Sequence, residues 1–265
     1  MSNVTLTTLR RMKQEGKPFA SLTAYDASFA RLIDEAGAEV VLVGDSLGMV
    51  VQGQESTLPV TVDEMIYHTR NVRRGTSRAL VMTDMPFMSY PDPQQALLNA
   101  GRLMKEGGAH VVKLEGGAML VDAVRLMSSH GIPVCAHLGL LPQSVHKLGG
   151  YKVQGRDEEG AGTMLEDAQA LVDAGADMLL LECVPQALAS AITASVGVPV
   201  IGIGAGPDCD GQVLVSYDML AITPGKRPRF SKDFLAESGS VAKALGNYVS
   251  DVKARRFPGP EHVIA

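Results

Sequence analysis

One repeated pattern most constrains how this 265-residue chain can fold: several apolar segments end in an ionisable residue. The segment Val40–Val43 is aliphatic throughout, which is typical of a parallel strand covered on both faces, and Asp45 follows it closely. Four later apolar segments also end in an ionisable residue: ALVMTD in Asp84, HVVKLE in Glu115, PVCAH in His137 and DMLLLE in Glu182. Burying a charged group at such a place is costly unless a partner compensates it. The recurrence therefore indicates one ring of polar strand ends.

Strands and helices alternate along the whole chain, and this order predicts a (β/α)8 TIM barrel with its active site at the C-terminal ends of the strands. The length is close to the ~250 residues typical of that fold, so we expect a single domain over residues 1–265. Eight strands are predicted, at residues 19–25, 40–43, 79–84, 110–115, 133–137, 178–182, 198–203 and 212–218. The last segment is short enough to fit either a strand or a helical turn.

Several helices carry recognisable start and stop residues. Residues 5–15 form a predicted amphipathic helix ended by Gly16, which lies before the first strand and is expected to close the bottom of the barrel. Either Asp26 or Ser28 is the predicted N-cap of the next helix. Residues 61–64, TVDE, match a capping box and predict a helix that runs to about Arg74.

Composition excludes several classes of protein. A net charge of −5 and a pI of about 5.7 give no electrostatic footprint for nucleic acid. The apolar runs are far shorter than the ~20 residues of a membrane span, and the N-terminus lacks the apolar core of a signal peptide. Cys135, Cys183 and Cys209 are far apart and have no paired spacing. We therefore expect a reduced, cytoplasmic protein.

Side chains alternate between the two faces of a strand, so each ionisable strand end can point into the same central space. Asp45, Asp84 and Glu115 offer hard oxygen ligands without histidine or cysteine at zinc spacing, a set that favours magnesium. Lys113 lies within an apolar strand and needs a counter-charge. Glu115 or the carboxylate of a bound substrate would supply it. For any single residue, a structural ion pair or helix cap remains an equally good explanation.

Two glycine-rich or irregular segments are further candidates for binding. Residues 202–206, GIGAG, follow the seventh strand, where barrels often bind phosphate, although a plain turn explains the pattern equally well. Residues 139–160 form the longest irregular segment, which is typical of a lid or a binding loop.

Long ungapped segments resemble the ketopantoate hydroxymethyltransferase family. They are GDSLGMVVQG at 44–53, STLPVT at 56–61, DMPF at 84–87, VKLEGG at 112–117, HLGLLPQSV at 137–145, GGYKVQGR at 149–156, LLECVP at 180–185 and IGIGAGPDCDGQVLV at 201–215. The resemblance runs from about Phe19 to the C-terminal helix. It implies a barrel of the phosphoenolpyruvate/pyruvate type, assembled as a homodecamer.

The resemblance also implies roles for individual residues. Magnesium would be bound by Asp45, Asp84 and Glu115. The substrate-binding residues would be Asp45, Ser46, Asp84, Lys113 and His137. Glu182 would be the catalytic proton acceptor. The implied reaction transfers a one-carbon unit from 5,10-methylenetetrahydrofolate to 3-methyl-2-oxobutanoate through a magnesium-stabilised enolate, giving ketopantoate for pantothenate biosynthesis.

The glutamate tail of folate needs basic partners, and the loop at 139–160 carries four candidates: His146, Lys147, Lys152 and Arg156. Two rival functions remain open at this point. One is another magnesium-dependent carbon–carbon lyase or aldolase acting on a 2-oxo acid, although no cysteine falls in that loop as isocitrate-type lyases require. The other is a binding or scaffold barrel, which gives no reason for the acidic strand ends.

Overall fold

The computed structural model describes residues 3–223, 225 and 227–263, and its eight parallel strands close into a barrel in chain order. The strands are β1 (Phe19–Thr23), β2 (Val40–Val43), β3 (Leu80–Asp84), β4 (Val111–Glu115), β5 (Val134–Gly139), β6 (Met178–Glu182), β7 (Val200–Ile203) and β8 (Gly211–Leu214). Every neighbouring pair is parallel, including β8 with β1. The predicted (β/α)8 barrel is confirmed, and each predicted strand overlaps an observed one.

The longer helices follow the strands as predicted, whereas the short helices at Leu47–Val50, Val145–Leu148 and Leu235–Ser238 lie where no helix was predicted. The helices are α1 (Leu6–Gln14), α2 (Ala27–Glu35), α3 (Leu47–Val50), α4 (Val62–Gly75), α5 (Pro93–Arg102), α6 (Val121–Ser129), α7 (Val145–Leu148), α8 (Glu158–Asp173), α9 (Gln186–Ser195), α10 (Ser216–Met219), α11 (Leu235–Ser238) and α12 (Val241–Lys253). The ambiguous eighth segment holds both structures that the sequence allowed, because β8 is followed directly by α10. Among the described residues, the helices are too short or too polar to cross a membrane.

The barrel core is buried on both faces of the sheet, as a parallel sheet covered by helices requires. All four residues of Val40–Val43 are buried, and the same holds for every residue of β1, β3 and β4. Consequently a polar side chain in a strand, such as Lys113, cannot reach bulk solvent and must find its partners inside the barrel.

Side chains at the helix starts satisfy backbone groups that the helix itself leaves free. Asp26 is the N-cap of α2, because its carboxylate accepts hydrogen bonds from the backbone N–H groups of Ser28 and Phe29. Ser28 is therefore already inside the helix. Thr61 and Glu64 form the predicted capping box at the start of α4.

The N-terminal helix α1 lies against the N-terminal ends of the strands, as predicted. Leu9 is fully buried, and the Lys13 ammonium donates to Asp210 Oδ2 and to the Thr193 carbonyl, at 2.8 Å each. Asp210 immediately precedes β8, and its carboxylate also accepts from the backbone N–H of Val200 at the start of β7. The polar strand ends at the opposite rim are thus left open for a ligand.

Helices α2 and α4 pack so closely that one contact requires glycine. A Cβ atom built on Gly75 would lie 2.2 Å from the carbonyl oxygen of Ala27. Only a residue without a side chain allows α4 to end against the start of α2 at this distance.

Candidate active site

One cavity of about 580 Å³ opens at the C-terminal ends of the strands. The structure brings all seven predicted site residues to its wall: Asp45, Ser46, Asp84, Lys113, Glu115, His137 and Glu182. Asp84, Glu115 and Glu182 are the last residues of β3, β4 and β6, and Asp45 follows β2 by two residues. The ring of polar strand ends predicted from the sequence therefore surrounds a single space.

The strand register determines which of these side chains meet. Asp84 of β3 is aligned with Lys113 of β4, and Glu115 of β4 is aligned with His137 of β5. Accordingly the Lys113 ammonium lies 3.0 Å from Asp84 Oδ1, and His137 Nδ1 lies 3.6 Å from Glu115 Oε1. The ion-pair partner of Lys113 is therefore Asp84 and not Glu115, which the sequence left as a possibility.

Asp45 and Asp84 are adjacent buried carboxylates. The backbone N–H of Asp45 donates to Asp84 Oδ2 at 3.0 Å, so the turn after β2 is held directly against β3. Burial, followed by the charge of Asp84, raises the pKa of Asp45 to about 7. Burial also raises the pKa of Asp84, against the opposing effect of Lys113. In the protein alone, the ionised forms of Asp45 and Asp84 are therefore less favourable than in water.

Lys113 places a positive charge beside the carboxylate of Asp84. Burial alone would lower the pKa of this lysine, but the carboxylates of Asp84, Glu115 and Asp45 together raise it above its usual range. With a side chain that is only 4% exposed, Lys113 is a charged ammonium inside the protein. It can hold an anion that enters the cavity.

His137 is neutral, and its neighbours determine its tautomer. Burial, and then the charge of Lys113, lower the pKa of His137 far below its ordinary value. The Lys113 ammonium lies 3.1 Å from Nδ1 and can only donate, so Nδ1 accepts and Nε2 carries the proton. This Nε2–H lies 3.4 Å from Glu182 Oε2.

Glu182 differs from the other carboxylates because it retains access to the cavity. Its side chain is 17% exposed, whereas those of Asp84 and Glu115 are almost completely covered. Burial, opposed by the charge of Lys113, raises the pKa of Glu182 to about 8. A carboxylate with that pKa, facing open space, is suited to accept a proton near neutral pH.

The oxygen donors of the site fit a magnesium ion whose ligands come partly from the protein and partly from a bound substrate. No group of three or more His, Cys, Asp or Glu side chains forms a ready metal cage among the described residues. Magnesium, however, is commonly bound by one or two carboxylates together with substrate oxygens and water. Asp45 and Asp84 offer such a pair, because both carboxylates are buried side by side and Asp84 is paired with the Lys113 ammonium. A cation would relieve the mutual repulsion that raises the pKa of Asp45.

Three residues that the sequence reasoning did not single out support the site. The Tyr25 hydroxyl is 2.9 Å from Ser46 Oγ and orients that hydroxyl. Gln143 donates from its side chain to Asp45 Oδ2 at 2.8 Å and from its backbone N–H to Glu115 Oε2 at 3.0 Å, and Tyr90 donates to Gln143. Tyr25 ends the predicted first strand and was not recognised there as a polar strand end. Tyr90 and Gln143 are polar residues in irregular segments, a signal that many surface loops share.

The irregular segment at 139–160 contributes Leu140, Pro142, Tyr151 and Val153 to the cavity wall. The four basic candidates for the folate tail do not line it: His146, Lys147, Lys152 and Arg156. Arg227 and Arg229, which precede α11, do line the cavity and were missed.

The glycine-rich segment after β7 packs against protein. A Cβ atom on Gly202 would lie 2.8 Å from Cys209 Sγ, so this glycine allows a close internal contact. Of this segment only Ile203 reaches the cavity wall. The plain turn is therefore the better explanation of the pattern.

Comparison with known proteins gives a consistent result. The family model described as ketopantoate hydroxymethyltransferase matches residues 3–260. The 3-methyl-2-oxobutanoate hydroxymethyltransferase of Nitrosococcus oceani is 60% identical over 258 residues, which cover 97% of this chain and 98% of the relative. Among solved structures, a putative phosphonomutase from Burkholderia cenocepacia has a TM-score of 0.65 at 19% identity, covering 82% of this chain and 93% of its own. A 2,3-dimethylmalate lyase, a member of the PEP mutase/isocitrate lyase superfamily, has a TM-score of 0.58 at 20% identity and covers 81% of each chain. At these identities the two structures establish the similarity of fold alone.

Proposed function

Because the chain belongs to the ketopantoate hydroxymethyltransferase family, we propose that it transfers a one-carbon unit from 5,10-methylenetetrahydrofolate to 3-methyl-2-oxobutanoate. The product is ketopantoate, and the activity belongs to pantothenate biosynthesis. The observation that carries this proposal is the cavity at the barrel mouth, whose wall includes every residue expected to bind magnesium, to bind the keto acid or to accept the proton. A relative that is 60% identical over nearly the full length of both chains supports the same activity.

Binding of the keto acid falls to the charged and hydroxyl groups of the cavity. The Lys113 ammonium pairs with the substrate carboxylate, which enters beside Asp84, and Ser46 Oγ donates a further hydrogen bond. Tyr25 supports this role because its hydroxyl lies 2.9 Å from Ser46 Oγ. His137 remains neutral and directs its Nε2–H toward the same space.

Asp45 and Asp84 would bind magnesium, with Glu115 as the third carboxylate of the set. When bound, the ion polarises the keto group and stabilises the negative charge that develops on its oxygen. Burial is the first cause that raises the pKa of Asp45, Asp84 and Glu115, and a cation bound among these carboxylates would favour their ionised form.

Glu182 takes the proton from the branched carbon next to the ketone. Its pKa of about 8 suits a base at neutral pH, and its carboxylate faces the cavity. His137 is a weaker candidate, because its depressed pKa makes it a poor base and its Nδ1 is engaged by Lys113. The deprotonated carbon then attacks the methylene carbon of the folate while one of its two C–N bonds breaks. Water cleaves the second C–N bond, which leaves the hydroxyl group on the transferred carbon and releases tetrahydrofolate, whose two nitrogens take up the proton held by Glu182 and one proton of the water. Arg227 and Arg229 would face the acidic tail of the folate at the rim.

Association with further copies of the chain, in a decamer, is part of the proposal. Several large apolar side chains are exposed on the single chain: Tyr67, Phe87, Met88, Leu98 and Met119. Burial of such side chains between subunits would remove them from water. The whole of residues 1–265 would act as one domain around the one barrel.

The proposal is tested by following ketopantoate formation from 3-methyl-2-oxobutanoate and methylenetetrahydrofolate, with magnesium present and again after chelation. We expect turnover that depends on both substrates and is lost with the chelator. Cleavage of another 2-oxo acid in place of this reaction would favour the lyase alternative. The structure gives that alternative no activated cysteine, since burial raises the pKa of the cavity residue Cys183 to about 12.

A further inference from the structure

Gln143 connects the ends of three strands through one side chain and its backbone. It lies in the short turn Pro142–Ser144 after β5 and is only 6% exposed. Its Nε2 donates to Asp45 Oδ2 at 2.8 Å and to the carbonyl oxygen of Met85 at 2.9 Å, and its backbone N–H donates to Glu115 Oε2 at 3.0 Å. Its Oε1 accepts from the Tyr90 hydroxyl.

Every donor and acceptor in this group has one possible assignment. The atom of Gln143 that faces two oxygens must be the amide nitrogen, because an oxygen there would meet only acceptors. The amide oxygen then requires a donor, so the Tyr90 hydroxyl donates to it. The same hydroxyl accepts the backbone N–H of Glu115 at 3.3 Å, which closes a ring of hydrogen bonds around Glu115. Burial raises the pKa of Tyr90, so the hydroxyl keeps its proton.

Neither Gln143 nor Tyr90 belongs to the cavity wall, although Pro142 next to Gln143 does. The two residues therefore contact the acidic groups from behind and act through them rather than on the substrate. We propose that Gln143 and Tyr90 form a brace that fixes the carboxylates of Asp45 and Glu115 in the orientation the reaction requires. Both are positioning residues. This inference rests on the proposed function, because it assigns the brace to that site.

The chain offers a closely matched pair of variants. Tyr90→Phe keeps the ring and removes the hydroxyl that supports Gln143. Tyr248→Phe makes the same chemical change at a fully buried tyrosine that does not line the cavity, whose hydroxyl proton is shared between the carbonyl oxygens of Ser21 and Gln212. Both variants lose a hydrogen-bonded hydroxyl, but only Tyr90→Phe alters the brace. Gln143→Glu is the third variant, since it keeps the shape and removes the donor to Asp45.

The experiment measures kcat/KM, the calorimetric affinity for magnesium in the presence of keto acid, and Tm. Loss of a residue that orients metal-binding groups typically costs about 10–100-fold in metal affinity or activity. We expect Tyr90→Phe to lower kcat/KM and magnesium affinity by about 10-fold or more. We expect Tyr248→Phe to lower Tm but to leave kcat/KM and magnesium affinity within about twofold of wild type, because changes at residues that share no partners usually act independently. A Tyr90→Phe variant that behaves like Tyr248→Phe overturns the proposal.

A double variant tests whether the two residues act as one unit. Because Tyr90 contacts both Gln143 and the backbone of Glu115, the loss in the Tyr90→Phe/Gln143→Glu enzyme is expected to be smaller than the product of the two single losses. Losses that multiply would show independent roles and overturn the brace. Should Gln143→Glu fail to fold, the two tyrosine variants still decide the question. The wild-type enzyme separates this inference from the function: an inactive wild type refutes the proposed reaction, whereas an active wild type with an unaffected Tyr90→Phe variant refutes only the brace.

Discussion

Glu182→Gln isolates the proton transfer from every other step of the proposed reaction. The substitution keeps the size and shape of the side chain and removes its basicity. Glu182 makes no ion pair with Lys113, whose partner is Asp84, so the variant leaves the charged pair of the site in place. We therefore expect Glu182→Gln to fold, to bind magnesium and to bind the keto acid, but to be unable to remove the proton from the branched carbon.

The size of the effect follows from the pKa of Glu182. With a pKa of about 8, roughly a tenth of the Glu182 side chains are ionised at pH 7. The exchange rate should rise about tenfold per pH unit below the pKa and become constant above it, because only the ionised form accepts a proton. A bound cation favours the ionised form and moves this profile toward lower pH. Since a positioned general base contributes about 10²–10⁴-fold, the variant should lose that factor in rate.

The assay is exchange of the substrate proton for deuterium, followed by NMR in deuterated water without folate. Wild type is expected to exchange the proton on the branched carbon, with the rising pH profile described above. Calorimetric titration with magnesium and keto acid serves as the control that the variant still binds both. Exchange at the wild-type rate in Glu182→Gln, with binding intact, would refute the assignment and leave His137 or a water molecule as the base.

Three further substitutions test the remaining parts of the site and the fold. Asp84→Asn removes one proposed magnesium ligand and should weaken calorimetric magnesium binding about tenfold or more, with equal affinity contradicting the assignment. Lys113→Ala should raise the KM for the keto acid more than that for the folate; a normal KM in the surviving protein would leave only a structural role. The same variant leaves Asp84 buried without its partner and should cost about 3–5 kcal/mol in urea unfolding. Gly75→Ala should lower the free energy of unfolding by about 1–3 kcal/mol, because the new Cβ atom would lie 2.2 Å from the Ala27 carbonyl oxygen. Unchanged stability in urea unfolding would show that α2 and α4 can move apart without cost.

The positions of the strands and of the polar strand ends could be predicted because both depend on local pattern. A buried parallel strand needs a run of apolar residues, and an ionisable residue at its end is conspicuous in such a run. Alternation along the strand then places Asp84, Glu115 and Glu182 toward one space. The cavity wall confirms that arrangement.

The contacts between those residues could not be predicted, because they depend on the register between strands. Sequence spacing relates Lys113 to Glu115, two positions along the same strand, but the register places Lys113 beside Asp84. Gln143 was missed for a similar reason. Nothing in its local sequence indicates that the turn after β5 folds back over the ends of three strands. An irregular segment has no hydrophobic periodicity, so its path cannot be predicted from the sequence pattern.

Charge balance at the barrel mouth implies that the cation and the keto acid help each other to bind. Among the described residues, five carboxylates, one ammonium and two guanidinium groups line the cavity, and His137 adds no charge because it is neutral. A keto acid that enters alone would add another negative charge to this site. A divalent cation would compensate that charge and bind the substrate oxygens. The keto acid would in turn offer oxygen ligands to a cation held by the Asp45 and Asp84 carboxylates. Since coupling between two ligands is reciprocal, magnesium should strengthen keto-acid binding by the same factor by which the keto acid strengthens magnesium binding. Calorimetric titrations of each ligand with and without the other measure both factors, and equal affinities with and without the second ligand would contradict this account of the site.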